Sequence, residues 1–226
     1  MSNESIRLNG SQDNTINWNK IRAGMKKDSS GISDNIWSKL DTDKNNQLDS
    51  AELDKVKNDL AAAIADGNIT ADEAKAYLQS LGVDESESDN LFAFMLKLGN
   101  TSNSIDEAET VISGLKDANP KPEVKFESID GTDFYYVEIN GKKVEVALDE
   151  NNNITDIFVN DGENSLGSFS EAGAYIGSDE VEYDMPEAQW NTLKANLKDV
   201  FTADAVQNAK NPPQVEGQQP PQVEGQ

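Results

Sequence analysis

LDTDKNNQLDSAELDKV, from Leu40 to Val56, is the stretch from which the rest of the N-terminal half is read. Oxygen-bearing residues stand at alternate positions, Asp41, Asp43, Asn45, Gln47 and Asp49, and Glu52 follows. A hard divalent cation such as Ca2+ takes about six to eight oxygens, and a loop of about twelve residues supplies them at these steps. Asp41, Asp43 and Asn45 would each offer a side-chain oxygen, and Gln47 its backbone carbonyl. Asp49 would act through a water, and Glu52, in the first turn of the next helix, would offer both carboxylate oxygens. Leu48, between the ligands, is there for packing. The competing account is a solvated acidic turn in which Asp49 and Glu52 form a helix capping box. The completeness of the oxygen set favours the cation.

The pattern D-x-D-x-N-N-x-L-D-x-x-E over Asp41 to Glu52 resembles the EF-hand calcium-binding family. It departs from that family at Asn46, where the pattern has glycine. The position needs a positive φ, which asparagine tolerates best among the remaining residues. Aligned on the apolar eighth position, Ile16, Leu48, Ile69 and Ile105 mark related segments at 9–20, 41–52, 62–73 and 98–109. Only the second keeps its ligands. Lys20 stands where the first needs its bidentate carboxylate, Ala62 and Ile64 lack side-chain oxygens in the third, and Leu98 cannot coordinate in the fourth. Asp66, Asn68, Thr70 and Glu73 leave open a weaker site of different geometry, against an Asp-Gly turn followed by a helix cap. The resemblance implies two pairs of hands, each joined by a short β contact, with Ile16 opposite Leu48 and Ile69 opposite Ile105.

Helical spacing supports the flanks of these loops. Ile36, Trp37 and Leu40 lead in; Leu53, Val56, Leu60 and Ile64 lead out on a helix at about 51–65 shared with the third segment. Thr70 and Glu73 cap a helix that Gly82 ends. Leu91, Phe92, Phe94, Met95 and Leu98 form the next stripe, and Val111, Ile112 and Leu115 close the series before Asn119 and Pro120.

From Lys121 the pattern changes to β-branched and aromatic runs. Val124–Ile129, Phe134–Ile139, Lys142–Leu148 and Ile154–Val159 read as strands, and Asn140-Gly141 as a type I′ hairpin turn. Asp149, Asn151 and Asn153 read as an asparagine-rich turn rather than a second cation site. Asp184, Pro186 and Glu187 open a helix whose stripe is Trp190, Leu193, Leu197, Val200 and Phe201. Asn160 to Tyr183, rich in glycine and serine, receives no assignment. The sequence ends in a repeated PPQVEGQ, from Pro212 and again from Pro220, which cannot form a core. The fold class expected is α+β: an all-α EF-hand-like domain at 1–119, a small antiparallel sheet with one covering helix at 120–207, and a disordered tail at 208–226.

The 226 residues include 42 acidic and 19 basic ones, a net charge of −23. That balance argues against nucleic acid or anionic membrane and favours cations and basic protein surfaces as partners. With neither cysteine nor histidine, the chain has no thiol chemistry, no usual general base and no usual zinc ligand. MSNESIRLNGS lacks the form of a secretion signal and the apolar run Leu60–Ala65 is too short to span a bilayer. The expected compartment is therefore the cytoplasm, with non-classical secretion or surface display as the alternative. The leading function is a calcium-binding interaction protein, the ion a staple or a modest-affinity switch, with a Kd on the order of micromolar or weaker. The alternative is a scaffold or adhesion module of dockerin-like kind. A hydrolase using two carboxylates ranks third, because carboxylate pairs arise by chance in so acidic a chain; the chain is read as not an enzyme.

Overall fold

The computed structural model describes residues 15–17, 21–60, 68–178 and 180–212. Its first half contains β1 (Thr15–Asn17), β2 (Met25–Lys26), α1 (Lys27–Ser30), α2 (Asp34–Leu40), β3 (Gln47–Leu48), α3 (Ser50–Leu60), β4 (Asn68–Thr70), α4 (Ala71–Ser80) and α5 (Glu85–Asp117). The second half contains β5 (Lys125–Ile129), β6 (Thr132–Ile139), β7 (Lys142–Leu148), β8 (Ile154–Asp161), β9 (Asn164–Ser170), β10 (Ala174–Gly177), β11 (Glu182–Asp184), α6 (Glu187–Leu197) and α7 (Ala203–Lys210).

Nine strands form one antiparallel sheet in the order β3-β2-β11-β10-β9-β8-β7-β6-β5. Tight turns make the meander possible. Asp130-Gly131 and Asn140-Gly141 both have positive φ at each residue, the geometry of a type I′ turn whose twist matches the flanking strands. Alternation then sends one set of side chains to the core. Directly opposed partners run Leu48, Met25, Tyr183, Tyr175, Phe169, Ile157, Val146, Tyr135 and Phe126, one from every strand. All are buried except Phe126, which is half-buried. Tyr175 and Tyr183 stack with ring centroids 5.3 Å apart.

Helix α5, 33 residues long, packs on β7, β8, β9 and β10. Its inner stripe is Thr101, Ser104, Ile105, Ala108, Ile112 and Leu115, all buried and all at helical spacing. Burying each Ile or Leu contributes about 1.5–3 kcal/mol. The small residues of the stripe match glycines in the sheet: a Cβ on Gly167 would lie 3.6 Å from that of Ala108, and one on Gly177 would lie 2.2 Å from Thr101 Cγ2. Ser104 satisfies its buried hydroxyl by donating to the Thr101 carbonyl (2.9 Å) and accepting from Ser178 N (3.1 Å). Arg22 clips the segment before β2 to the same helix. Its Nε donates to Asp106 Oδ1 and its Nη1 to Glu109 Oε1, both at 3.1 Å, while its backbone N–H reaches Ser102 Oγ. Helix α6 lies beside α5, and α7 packs on β5. Among the described residues no helix is long and apolar enough to cross a membrane.

This mostly-sheet architecture replaces the expected all-α N-terminal domain of two paired hands, and the sheet is neither small nor covered by one helix. Leu48 lies opposite Met25, and Ile16 lies opposite Ile69. Ile105 faces no loop at all: residues 98–109 are continuous helix within α5, and the polar run Asn100–Ser104 that resembled a loop is where that helix meets sheet backbone. Of the other degenerate segments, 9–14, 18–20 and 62–67 lie outside the described residues. The four strands read from sequence coincide with β5 to β8, while the unassigned stretch after Asn160 supplies β9, β10 and β11. The expected last helix stops at Leu197, and α7 carries helix on to Lys210, past the expected start of the tail; residues 213–226 lie outside the described residues.

The glycine match is testable by opposite substitutions. Gly177→Ala forces a methyl against the Thr101 side chain and within 3.0 Å of its carbonyl oxygen, so it should lower unfolding free energy by about 1–3 kcal/mol. Gly114→Ala, on α5 with nothing near the added Cβ, should raise it by about 0.5–1 kcal/mol. Urea titration followed by circular dichroism measures both.

Candidate metal centre

Ser33 opens α2 by accepting from Ile36 N, and the helix ends as Asp41 leaves helical geometry at ψ 90°. The chain then curls tightly, with Lys44 and Asn46 both at φ 63°. What drives the curl is the wrapping of backbone N–H groups around carboxylate and amide oxygens. Asp41 accepts from Asn45 N at Oδ1 (3.2 Å) and from Asn46 N at Oδ2 (2.9 Å). Asp43 Oδ1 accepts from Asn45 N (3.1 Å), and Asn45 Oδ1 from Gln47 N (2.7 Å). The short side chains thus turn inward because each closes a local turn.

Glu52 ties the two ends of the loop together. Asp49 Oδ1 caps α3 by accepting from Ala51 N (2.8 Å) and Glu52 N (3.0 Å), and Glu52 Oε2 reaches back to Asp49 N (3.3 Å). This is the reciprocal capping box. The other oxygen, Oε1, crosses to the loop entrance, accepting the backbone N–H of Thr42 and, at 3.3 Å, its hydroxyl. The capping box and the convergent carboxylates therefore coexist in one glutamate.

Asp41, Asp43 and Glu52 each bring one carboxylate oxygen within 4.8 Å of the other two. Oxygens bound to a single Ca2+ at about 2.3–2.6 Å lie no more than about 5 Å apart, so the three fit one ion of that size. Asp41 is 3% exposed and Glu52 4%; Asp43 is exposed. Burial pushes the Asp41 carboxyl up, but the hydrogen bonds from the Trp37 indole and from backbone N–H of Asn46 and Lys44 outweigh it and hold the pKa below the ordinary value. Trp37 and the loop backbone thus favour the ionised form of Asp41.

The six residues expected from sequence do not all take the same part. Asp41, Asp43 and Glu52 converge. Asn45 borders them, its Nδ2 donating to Asp43 Oδ2 at 3.0 Å. The Gln47 side chain turns away to the Gly24 carbonyl (Nε2 to O, 3.2 Å), leaving only its backbone for a ligand role. Asp49 stands outside the converging trio, engaged in the helix cap. Two supports were not read from the sequence. Trp37 Nε1 donates to Asp41 Oδ2 at 2.8 Å, a contact signalled only by their i,i+4 spacing. From β2's end of the sheet, Gly24 N donates to the Leu48 carbonyl (2.8 Å) and Lys27 N to that of Asn46 (3.0 Å), a long-range pairing with no local signal. The Asp149 turn forms as read, its Oδ1 accepting from Asn151 N and Asn153 N, both at 2.8 Å.

The three converging groups are all carboxylates, hard oxygen donors of the kind that hard divalent cations prefer over nitrogen or sulfur. No protein-family model, curated protein or solved structure matches the chain.

Left-handed backbone at Lys44 is strained, since a lysine has no side-chain device to ease it. Lys44→Gly should therefore stabilise the chelator-treated protein by up to about 1 kcal/mol. Asn46→Gly should give less, because asparagine already tolerates φ > 0. Thermal melts of the two variants rank the effects.

Proposed function

We propose that residues 41–52 bind Ca2+ and that the ion acts as a staple or modest-affinity switch in a protein-interaction module. The observation that carries the proposal is the convergence of Asp41, Asp43 and Glu52 within 4.8 Å of one another. Three negative charges this close repel one another, and a divalent cation converts that repulsion into coordination. Asp41, Asp43 and Glu52 would supply carboxylate oxygens, Asn45 its amide oxygen and Gln47 its carbonyl, with Asp49 acting through a water.

The interaction half of the proposal rests on the sheet. Opposite the face that α5 and α7 cover, alternation puts Phe134, Tyr136 and Phe158 half-buried and Ile176 exposed, beside the ion pairs of Lys143 with Glu127 and Glu145. This mixed apolar and charged surface suits a protein partner better than a nucleic acid. The same surface supports the second reading, a scaffold module in which the ion has no signalling role. The proposal assigns no catalysis.

Isothermal titration separates these ideas from a bare acidic turn. The wild-type chain should take up one Ca2+ with a Kd on the order of micromolar or weaker, and Glu52→Gln should weaken uptake by at least about tenfold. Equal binding by both proteins would remove Glu52, and with it the loop, from the proposal. A pull-down with and without calcium then distinguishes switch from scaffold by whether partner capture depends on the ion.

A further inference from the structure

Trp37 is 2% exposed, and its indole N–H donates to Asp41 Oδ2 at 2.8 Å. A buried indole N–H usually finds an acceptor, although that of Trp190 has none; for Trp37 it is the first carboxylate of the loop. The same Oδ2 accepts Asn46 N at 2.9 Å. Asp41 is therefore held between two donors of different kinds, one in the core and one in the loop. With one oxygen held by two donors, the carboxylate has little freedom to turn, and its other oxygen, Oδ1, accepts from Asn45 N inside the loop.

Trp37 sits on α2, whose buried residues are Ile36, Trp37 and Leu40. Its ring orientation is thus set by packing that exists whether or not an ion is present. Such a rigid outer donor orients a ligand and raises the affinity of the site.

Resting on the proposed calcium loop, we infer that Trp37 is the positioning residue of that site: its indole N–H fixes Asp41 for the ion and couples occupancy of the loop to the core. The coupling runs both ways. An ion drawing on Asp41 changes the charge that the indole N–H faces, and an indole lacking that hydrogen leaves Asp41 buried with one donor fewer.

Replacing Trp37 with 3-benzothienylalanine, which keeps the bicyclic shape and exchanges N–H for sulfur, isolates the hydrogen bond. Calorimetric titration of the wild type and the substituted protein with CaCl2 should show affinity reduced about 10- to 100-fold. Trp37→Phe should lose at least as much. If wild type and analogue bind within a factor of about two, the positioning role is overturned while the calcium loop stands. If the wild type takes up no calcium, the loop proposal fails and this inference with it. A measurement on unaltered protein does not depend on a variant folding. In 1H–15N spectra of the wild type, the Trp37 indole signal should move on calcium addition in step with calorimetric saturation; a signal that stays still overturns the coupling.

Discussion

The buried row that runs from Leu48 through Met25, Tyr183, Tyr175, Phe169, Ile157, Val146 and Tyr135 to Phe126 is the constraint on which the rest of the structure depends. Because side chains alternate across a strand, slipping any one strand by a residue would take its member out of the core. The row therefore fixes register across all nine strands at once. It also joins distant parts of the chain, since residues before position 50 and after position 180 are neighbours within it. Leu48 is both the end of the row and a residue inside the candidate metal loop, so the geometry of the loop is inherited from the core.

Helix α5 closes that core from one side, and its composition follows from how near it comes. Where it crosses β9 and β10, Gly167 and Gly177 remove side chains from the sheet, and Thr101, Ser104 and Ala108 keep the helix surface low. Ile105, Ile112 and Leu115 supply the large side chains of the stripe and are wholly buried. Arg22, bound to Asp106 and Glu109 on the outer side of α5, fastens the N-terminal segment at the same crossing. Burial opposes its charge, and the hydrogen bonds to Glu109 and Asp106 more than restore it.

Local signals in the sequence were legible and non-local ones were not. Asn140-Gly141 and the alternation around Val144 marked a hairpin that forms as read, because turn type and period two are decided by a few adjacent residues. The turn from Asp41 to Glu52 was equally legible, down to the positive φ at Asn46, since the side-chain hydrogen bonds that close it within residues 41–52 span no more than ten residues. By contrast, the pairing of Leu48 with Met25 joins two strands of two residues each, too short to leave a pattern. Asn100 to Ser104 misled for a related reason: polar residues normally indicate solvent or a turn, whereas Thr101, Ser102 and Ser104 are buried against the rest of the fold. The glycine- and serine-rich stretch after Asn160 hid three strands, because its glycines serve the close approach of a helix from another part of the chain. In the site, Asp49 stands at the head of α3, where its Oδ1 caps the helix by accepting from Ala51 N and Glu52 N.

The position of β3 has a further consequence. A sheet edge exposes unpaired backbone that other chains can copy, and proteins guard such edges by keeping them short or charged. Here the outermost strand is two residues long, with Asp49 directly after it and Asp43 four residues before its first residue. The loop that gathers negative charge also leaves a second chain almost no backbone to extend and a field that repels an equally acidic copy. Protection of the edge and the proposed ion binding would thus rest on the same few side chains, and substitutions that neutralise the loop would alter both together.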